Sequence, residues 1–251
     1  MSLTVLQVTD THLFPEPDES LLGVRTQDTL DAVLDHAFRE GMPDALIASG
    51  DLAQVGQPAT YHRFLQTVRS RFAGPCLCVP GNHDLGEPFA RILPTQPVHL
   101  GAWDLLGVDT HIDDRVDGDV AEAELRRLEE ALSAPESTGR HVLVVGHHCP
   151  VDVGAPWLDE HRIANADALL GVLAACDRVR GYLGGHVHQE VDRQVGALRV
   201  LASPSTCFQF APHSERFTLD DTAPGWRWLT LHDDGAIETQ VARLAPASNH
   251  R

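Results

Sequence analysis

Short apolar runs and longer runs of helical period alternate through the first two thirds of this chain. Residues 3–9 (LTVLQVT) read as a strand, and Leu30, Val33, Leu34, Ala37 and Phe38 recur at the spacing of a helix over 26–40. A strand over 44–49 precedes a helix over 58–72, where Pro58 suits a first helical turn. A strand over 75–79 comes next, and a hairpin-like stretch at 97–109 breaks the alternation. A helix over 120–133 sets Leu125, Leu128 and Leu132 on one side and charges on the other. The nearly all-apolar strand 141–145 is expected to be buried on both faces. A helix over 165–175 and a strand over 179–183 follow. Beyond Gly185 the pattern turns to strands and tight turns, at 190–195, 197–202, 206–210, 226–232 and 236–243. Two facing sheets, each covered outside by helices, satisfy both patterns. No repeat, low-complexity tract or linker divides the chain, so one domain is expected over 1–245, with a frayed tail at 246–251.

Five polar motifs sit where apolar runs end. Asp10-Thr11-His12 follows LTVLQVT, Gly50-Asp51 follows DALIAS, and Gly81-Asn82-His83-Asp84 follows PCLCVP. Gly146-His147-His148 follows RHVLVV, and Gly185-His186-Val187-His188 follows RVRGYLG. This places the ligand-type residues along the carboxyl edge of a layer of strands, where α/β sheets carry their sites. Imidazole, carboxylate and one amide oxygen suit Fe, Mn, Zn or Mg, and no thiolate is present to make a sulfur-rich structural zinc. Asp10 and His12, two apart on an extended strand end, point the same way and grip one ion. Asp51 has two oxygens and can bridge two ions. Asn82 adds a neutral oxygen, His147 and His186 complete the second ion, and His188 reaches the first. In His147-His148-Cys149-Pro150, counting from the strand end selects His147, and counting back from Pro150 selects His148.

Charge narrows the partners. A formal net charge of −17 repels polyanions and argues against a binder of nucleic-acid polymers. A small anionic substrate stays compatible, because bound cations dominate the local field. No apolar run reaches the ~18 residues of a membrane span, and a cleaved leader would remove Asp10. Five scattered cysteines suggest a reducing cytoplasm, with Cys76 and Cys78 sharing one strand face. The remaining histidines (36, 62, 99, 111, 141, 161, 213, 232 and 250) read as surface or packing residues, Cys149 as packing, and Trp226 and Trp228 as core or edge.

The order D-x-H, G-D, G-N-H-D, G-H, G-H-x-H resembles the calcineurin-like metallophosphoesterase superfamily. GHVHQE (185–190), PSTCFQF (204–210) and FTLDDTAPGWRWLTLHDDG (217–235) are similar to the class III bacterial cyclic-nucleotide phosphodiesterases. The resemblance implies a four-layer αββα sandwich of two mixed sheets. It implies one metal on Asp10, His12, Asp51 and His188, and a second on Asp51, Asn82, His147 and His186. Iron with manganese fits the family habit. Hydrolysis of 3′,5′-cyclic AMP to the 5′-monophosphate by a metal-bridging hydroxide is then expected, with the phosphate docking against His12, Asp51, Asn82, His83 and His188. His83 would donate to the phosphate or protonate the leaving oxygen, and Asp84 would orient a neighbour. Another small ester, such as a 2′,3′-cyclic nucleotide or a glycerophosphodiester, would suit the same metals. An inactive metal-binding scaffold is the reading from another class, although no ligand is missing. Monomer and homodimer both stay open, since 226–243 could pair between copies or cap a sheet within one.

Overall fold

A computed structural model describes residues 2–134 and 139–245, so the expected tail at 246–251 lies outside the described residues. The chain opens with β1 (Ser2–Val8), a small hairpin of β2 (Ser20–Leu21) and β3 (Val24–Arg25), and α1 (Thr26–Glu40). Then come β4 (Ala45–Ser49), α2 (Pro58–Arg69), β5 (Cys76–Val79) and α3 (Gly86–Ile92). The hairpin β6 (Val98–Leu100) and β7 (Trp103–Gly107) leads to α4 (Glu122–Ser133), β8 (His141–Val145) and the short α5 (Pro156–Asp159). Next are α6 (Ala166–Ala174), β9 (Val179–Gly184), β10 (Val191–Val195) and β11 (Leu198–Ala202). The chain closes with β12 (Gln209–Phe210), β13 (Leu219–Asp220), β14 (Gly225–His232) and β15 (Ile237–Arg243).

Two mixed sheets result, in the orders β15-β14-β1-β4-β5 and β10-β11-β9-β8-β7-β6. Strand residues alternate between two cores, which explains the unbroken apolar runs. Val5, Ala45, Ile47, Leu143 and Val145 share the core between the sheets. Leu6, Val8, Leu46 and Ala48 face α1 and α2, which contribute Leu30, Val33, Tyr61 and Phe64. Val142 and Val144 face the other way, against Leu128 of α4 and Leu169 of α6. Three apolar layers thus separate four layers of structure, αββα. Full burial of each such leucine or valine stabilises by about 1.5–3 kcal/mol.

Four segments differ from the sequence reading. Helices α3 and α5 both occupy stretches where no element was expected. The hairpin at 20–25 carries too few residues to show a period. Of the strand expected at 206–210, only Gln209–Phe210 pairs, with Leu219–Asp220. The backbone before it is used elsewhere: Thr206 N donates to Thr9 O at 3.2 Å, and Phe208 O meets His188 Nδ1 at 2.8 Å. The 226–243 region pairs within the chain, with β14 internal and β15 at the sheet edge.

A buried polar chain joins the two sheets just below the strand ends. Arg227 donates to Ser203 Oγ, Thr239 Oγ1 and the Ala202 carbonyl, each at 2.8 Å. Ser203 donates to Gln7, whose amide reaches Ser49 Oγ at 2.7 Å and Gly184 O at 2.8 Å. Arg227→Ala strands the buried acceptors Ser203 Oγ, Ala202 O and Val191 O and opens a void. Stability is expected to fall by about 3 kcal/mol, or roughly 6–12 °C in Tm. A calorimetric shift below about 2 °C would count against this role.

Candidate active site

The motif residues are delivered by a backbone that turns sharply past the strand ends. Asp10, His12, Asp51, His186 and His188 have φ of 52°, 45°, 49°, 65° and 48°. They make up five of the eight described non-glycine residues with positive φ. A side chain in this left-handed region costs about 1–2 kcal/mol, and such strain gathers where function requires it. Asp10 and His12 therefore lie beyond β1 in left-handed turns, not on an extended strand end as the sequence suggested. Cross-bonds hold the turns: Asp10 N donates to Gly50 O and His12 N to Asp51 O, both at 2.9 Å. Gly50 (φ 95°) and Gly81 allow this crowding. A Cβ on Gly50 would sit 2.3 Å from His147 Nδ1, and one on Gly81 would sit 2.4 Å from the Asp51 backbone nitrogen.

The side chains converge from both sheets. His188 Nε2 is 3.2 Å from Asp10 Oδ1 and 3.3 Å from His12 Nε2. His12 Nε2 is 3.8 Å from Asp51 Oδ2, and His147 Nε2 approaches the same oxygen at 3.4 Å. Asp10, His12 and His188 bring their ligand atoms within 4.8 Å of one another, as do Asp10, Asp51 and His147. Asp10, His12, Asp51, His147, His186 and His188 are buried, and Asn82 is half-buried. His147 Nε2, His186 Nε2 and Asn82 Oδ1 are buried without any hydrogen-bond partner. Leaving such atoms unpaired costs free energy, and a cation is what their lone pairs suit. The clusters are compatible with a dinuclear metal site.

Outer partners fix the rings. His12 Nδ1 lies 2.9 Å from Gln54 Oε1, and His147 Nδ1 lies 2.8 Å from Ser49 O. With Nδ1 of His188 on Phe208 O, all three rings turn Nε2 inward. His148 is different: Nδ1 meets Thr110 Oγ1 at 2.8 Å and Nε2 meets Val116 O at 3.1 Å, so both nitrogens are engaged.

Electrostatics favour cation binding. Burial pushes His12 down to about 4, although Asp51 opposes it. Burial, with His147 nearby, takes His148 to about 3. Burial and the neighbouring His148 and His147 hold His186 well below the usual imidazole range. The low values keep His12 and His186 neutral, the form that offers a lone pair. Burial also opposes charge on His147, but Asp51 and Asp10 outweigh it and raise this imidazole to about 9. Burial disfavours the Asp51 carboxylate, yet His147 outweighs that and holds it well below the usual range. The point between Asp10, Asp51 and His147 thus attracts positive charge.

His83 and Asp84 separate in role. The His83 backbone N–H donates to Asp51 Oδ1 at 2.8 Å, and its half-buried ring stands edge-on to His12 at 5.1 Å. Asp84 is 1% exposed and accepts from Gly81 N (3.0 Å), Ala53 N (3.1 Å) and Leu52 N (3.2 Å). Burial and then Asp51 raise its carboxyl to about 7. Asp84 clamps the Asp51 loop to the Asn82 turn.

A cavity of about 230 Å³ opens beside the cluster, lined by His12, Asp51, Asn82, His83, His186 and His188. Its other walls escaped the sequence reading: Leu22, Gln54, Trp157, Phe208, Phe210 and Phe217. His161, read as an ordinary surface or packing residue, also lines it. Only the aromatic pair in CFQF offered any signal. Other expectations match their places: Cys149 and Trp226 are buried in cores, and Cys76 and Cys78 lie side by side with their sulfurs 3.9 Å apart. Among the described residues no helix is long and apolar enough to cross a membrane.

With two facing mixed sheets and a carboxylate–histidine cluster on their rim, the class is that of the metal-dependent phosphoesterases. The model of the calcineurin-like phosphoesterase family matches residues 3–190, and the chain belongs to this family. It is 43% identical over 255 residues to the 3′,5′-cyclic adenosine monophosphate phosphodiesterase CpdA of Escherichia coli K12, covering 96% of this chain and 90% of that one. The CpdA of Pseudomonas aeruginosa is 42% identical, with 97% and 90% covered. A 3′,5′-cyclic-nucleotide phosphodiesterase of Nostoc is 30% identical, with 97% and 93% covered. Among solved structures, a dimetal phosphatase from Danio rerio shares the fold at a TM-score of 0.64, with 14% identity and 97% and 99% coverage. Purple acid phosphatase PPD1 from yellow lupin seeds does so at 0.68, with 13% identity, covering 97% of this chain and 52% of that one.

Proposed function

We propose that this chain hydrolyses 3′,5′-cyclic AMP to 5′-AMP with two divalent cations. The observation that carries the reading is the trio of buried ligand atoms without a hydrogen-bond partner, His147 Nε2, His186 Nε2 and Asn82 Oδ1. The substrate follows from the relatives named for this reaction over nearly the full length. Asp10, His12, Asp51 and His188 hold one ion. Asp51, Asn82, His147 and His186 hold the other, with Asp51 shared. Iron and manganese suit this nitrogen and oxygen set, and zinc or magnesium are compatible. Two such cations supply Lewis acidity toward phosphoryl oxygens and lower the pKa of water enough for attack at neutral pH.

The protein's own part is placement and proton delivery. His12, Asp51, Asn82, His83 and His188 border the cavity and receive the phosphate. Water adds across the P–O3′ bond, and the freed 3′ oxygen takes a proton. His83 lines the cavity beside His12 and Asp51 and can donate to a phosphoryl oxygen or to that leaving oxygen. Asp84 positions Asp51 and Asn82 through the backbone and touches no reacting atom. Five unpaired cysteines suit the reducing cytoplasm, where we place the enzyme.

Manganese-loaded protein tests this against 3′,5′-cyclic AMP and 2′,3′-cyclic AMP, with products resolved by chromatography. The proposal expects fast conversion of the first to 5′-AMP. Faster turnover of the 2′,3′ isomer would keep a phosphodiesterase and remove this substrate.

A further inference from the structure

We propose that the aromatic corner of Trp157, Phe210 and Phe217, with Leu22 at a strained hairpin tip, is the nucleobase subsite that gives the enzyme its preference for nucleotides. This rests on the proposed cyclic-nucleotide hydrolysis and adds what holds the base.

The corner is continuous with the reaction centre. Phe210 stacks on His188, with ring centroids 4.2 Å apart and an interplanar angle of 18°. Phe210 meets Phe217 at 5.5 Å, and Trp157 meets these two rings at 5.0 Å and 5.6 Å. The Trp157 indole is fixed by donating to Ser214 Oγ at 2.9 Å. A rigid ladder of rings thus leads from the phosphate end of the cavity, and a nucleobase is the flat group one ribose away from a cyclic phosphate.

Exposure points the same way. Of the seven large hydrophobic side chains exposed among the described residues, Leu22, Val116 and Phe217 line this one cavity, at 51%, 51% and 54% exposure. Leaving them wet is unfavourable unless a ligand covers them.

Leu22 adds an independent observation. It forms, with Gly23, the two-residue turn between Ser20–Leu21 and Val24–Arg25. Both turn residues have positive φ, 52° and 84°. That turn favours Asn, Asp or Gly at its first position, and a leucine there is strained. An exposed leucine in a strained conformation has no packing reason to persist, whereas a contact with ligand supplies one.

The lining also has no lysine or arginine. The wall itself thus suits a ligand with one phosphate and an uncharged flat ring. The wall is largely apolar, and a purine covers more of it than a pyrimidine.

The test compares 3′,5′-cyclic AMP with its abasic analogue, the methyl ribofuranoside 3,5-cyclic phosphate, on the manganese-loaded enzyme. Stacking a base on such rings corresponds to about a 5- to 150-fold effect, so the wild type should prefer cyclic AMP in kcat/KM by that order. Phe217→Ala should shrink the preference about fivefold or more, mainly through KM. Leu22→Asn should shrink it too, while Tm holds or rises because asparagine tolerates the turn. A wild-type preference near one, or a preference that neither variant changes, overturns the subsite. If the wild type cleaves bis-p-nitrophenyl phosphate but neither cyclic phosphate, the proposed function itself fails, and the subsite with it. Titration of 5′-AMP by calorimetry gives a second readout, and Phe217→Ala should weaken it by a similar factor.

Discussion

Asp51→Asn is expected to lower kcat/KM on 3′,5′-cyclic AMP at least about a thousandfold, the factor that ~4 kcal/mol of transition-state stabilisation represents. The substitution is nearly isosteric. Its amide oxygen can still accept from the His83 N–H, which meets Asp51 Oδ1 at 2.8 Å. What goes is the negative charge and the second oxygen, Oδ2, which lies 3.4 Å from His147 and 3.8 Å from His12. These histidines belong to different proposed metal sites, so one change weakens both. Atomic absorption should find fewer than two equivalents of metal, and circular dichroism should find the fold intact. Activity within tenfold of wild type at full metal content would remove Asp51 from its shared role.

His147→Ala and His148→Ala should part sharply. His147 carries a buried Nε2 with no hydrogen-bond partner that faces Asp51 Oδ2 at 3.4 Å, whereas His148 engages Thr110 and Val116 through both ring nitrogens. His147→Ala is expected to cost about one equivalent of bound metal and about a hundredfold or more in turnover. His148→Ala should keep two equivalents and instead lose about 2–3 kcal/mol of stability, from two broken buried hydrogen bonds and a void. The comparison is direct because the residues are adjacent and both are fully buried. Metal loss in His148→Ala with retention in His147→Ala would reverse the assignment.

Why the sequence separated some features and not others follows from what periodicity reports. The run Val142-Leu143-Val144-Val145 signalled burial on both faces, and its residues do alternate between the inter-sheet core and the helix-covered core. Motifs at strand ends were legible because strand, glycine and ligand are close in sequence. Asp10 and Gly50 needed only the rule that parallel strands end along one edge. The left-handed conformations of the ligands were not legible, since Asp10 and His12 look equally at home on an extended strand. The role of Arg227 was not legible, because its partners Ser203 and Thr239 come from other elements. The cavity wall was hidden most deeply. Leu22, Trp157 and Phe217 lie far apart in sequence, in a turn, a one-turn helix and a loop, and meet only after both sheets have formed. His147 and His148 could not be told apart from the sequence either, because adjacent histidines differ only in where their nitrogens point.

Both sheets supply ligands to the proposed pair of cations, and Asp51 is shared between the two ions. Anomalous diffraction from crystals of the manganese-loaded protein tests this most directly. Two peaks about 3.5–4 Å apart are expected, with Asp51 between them, one beside His12 and His188 and the other beside Asn82, His147 and His186. A single peak, or a second ion coordinated by His148 in place of His147, would contradict it.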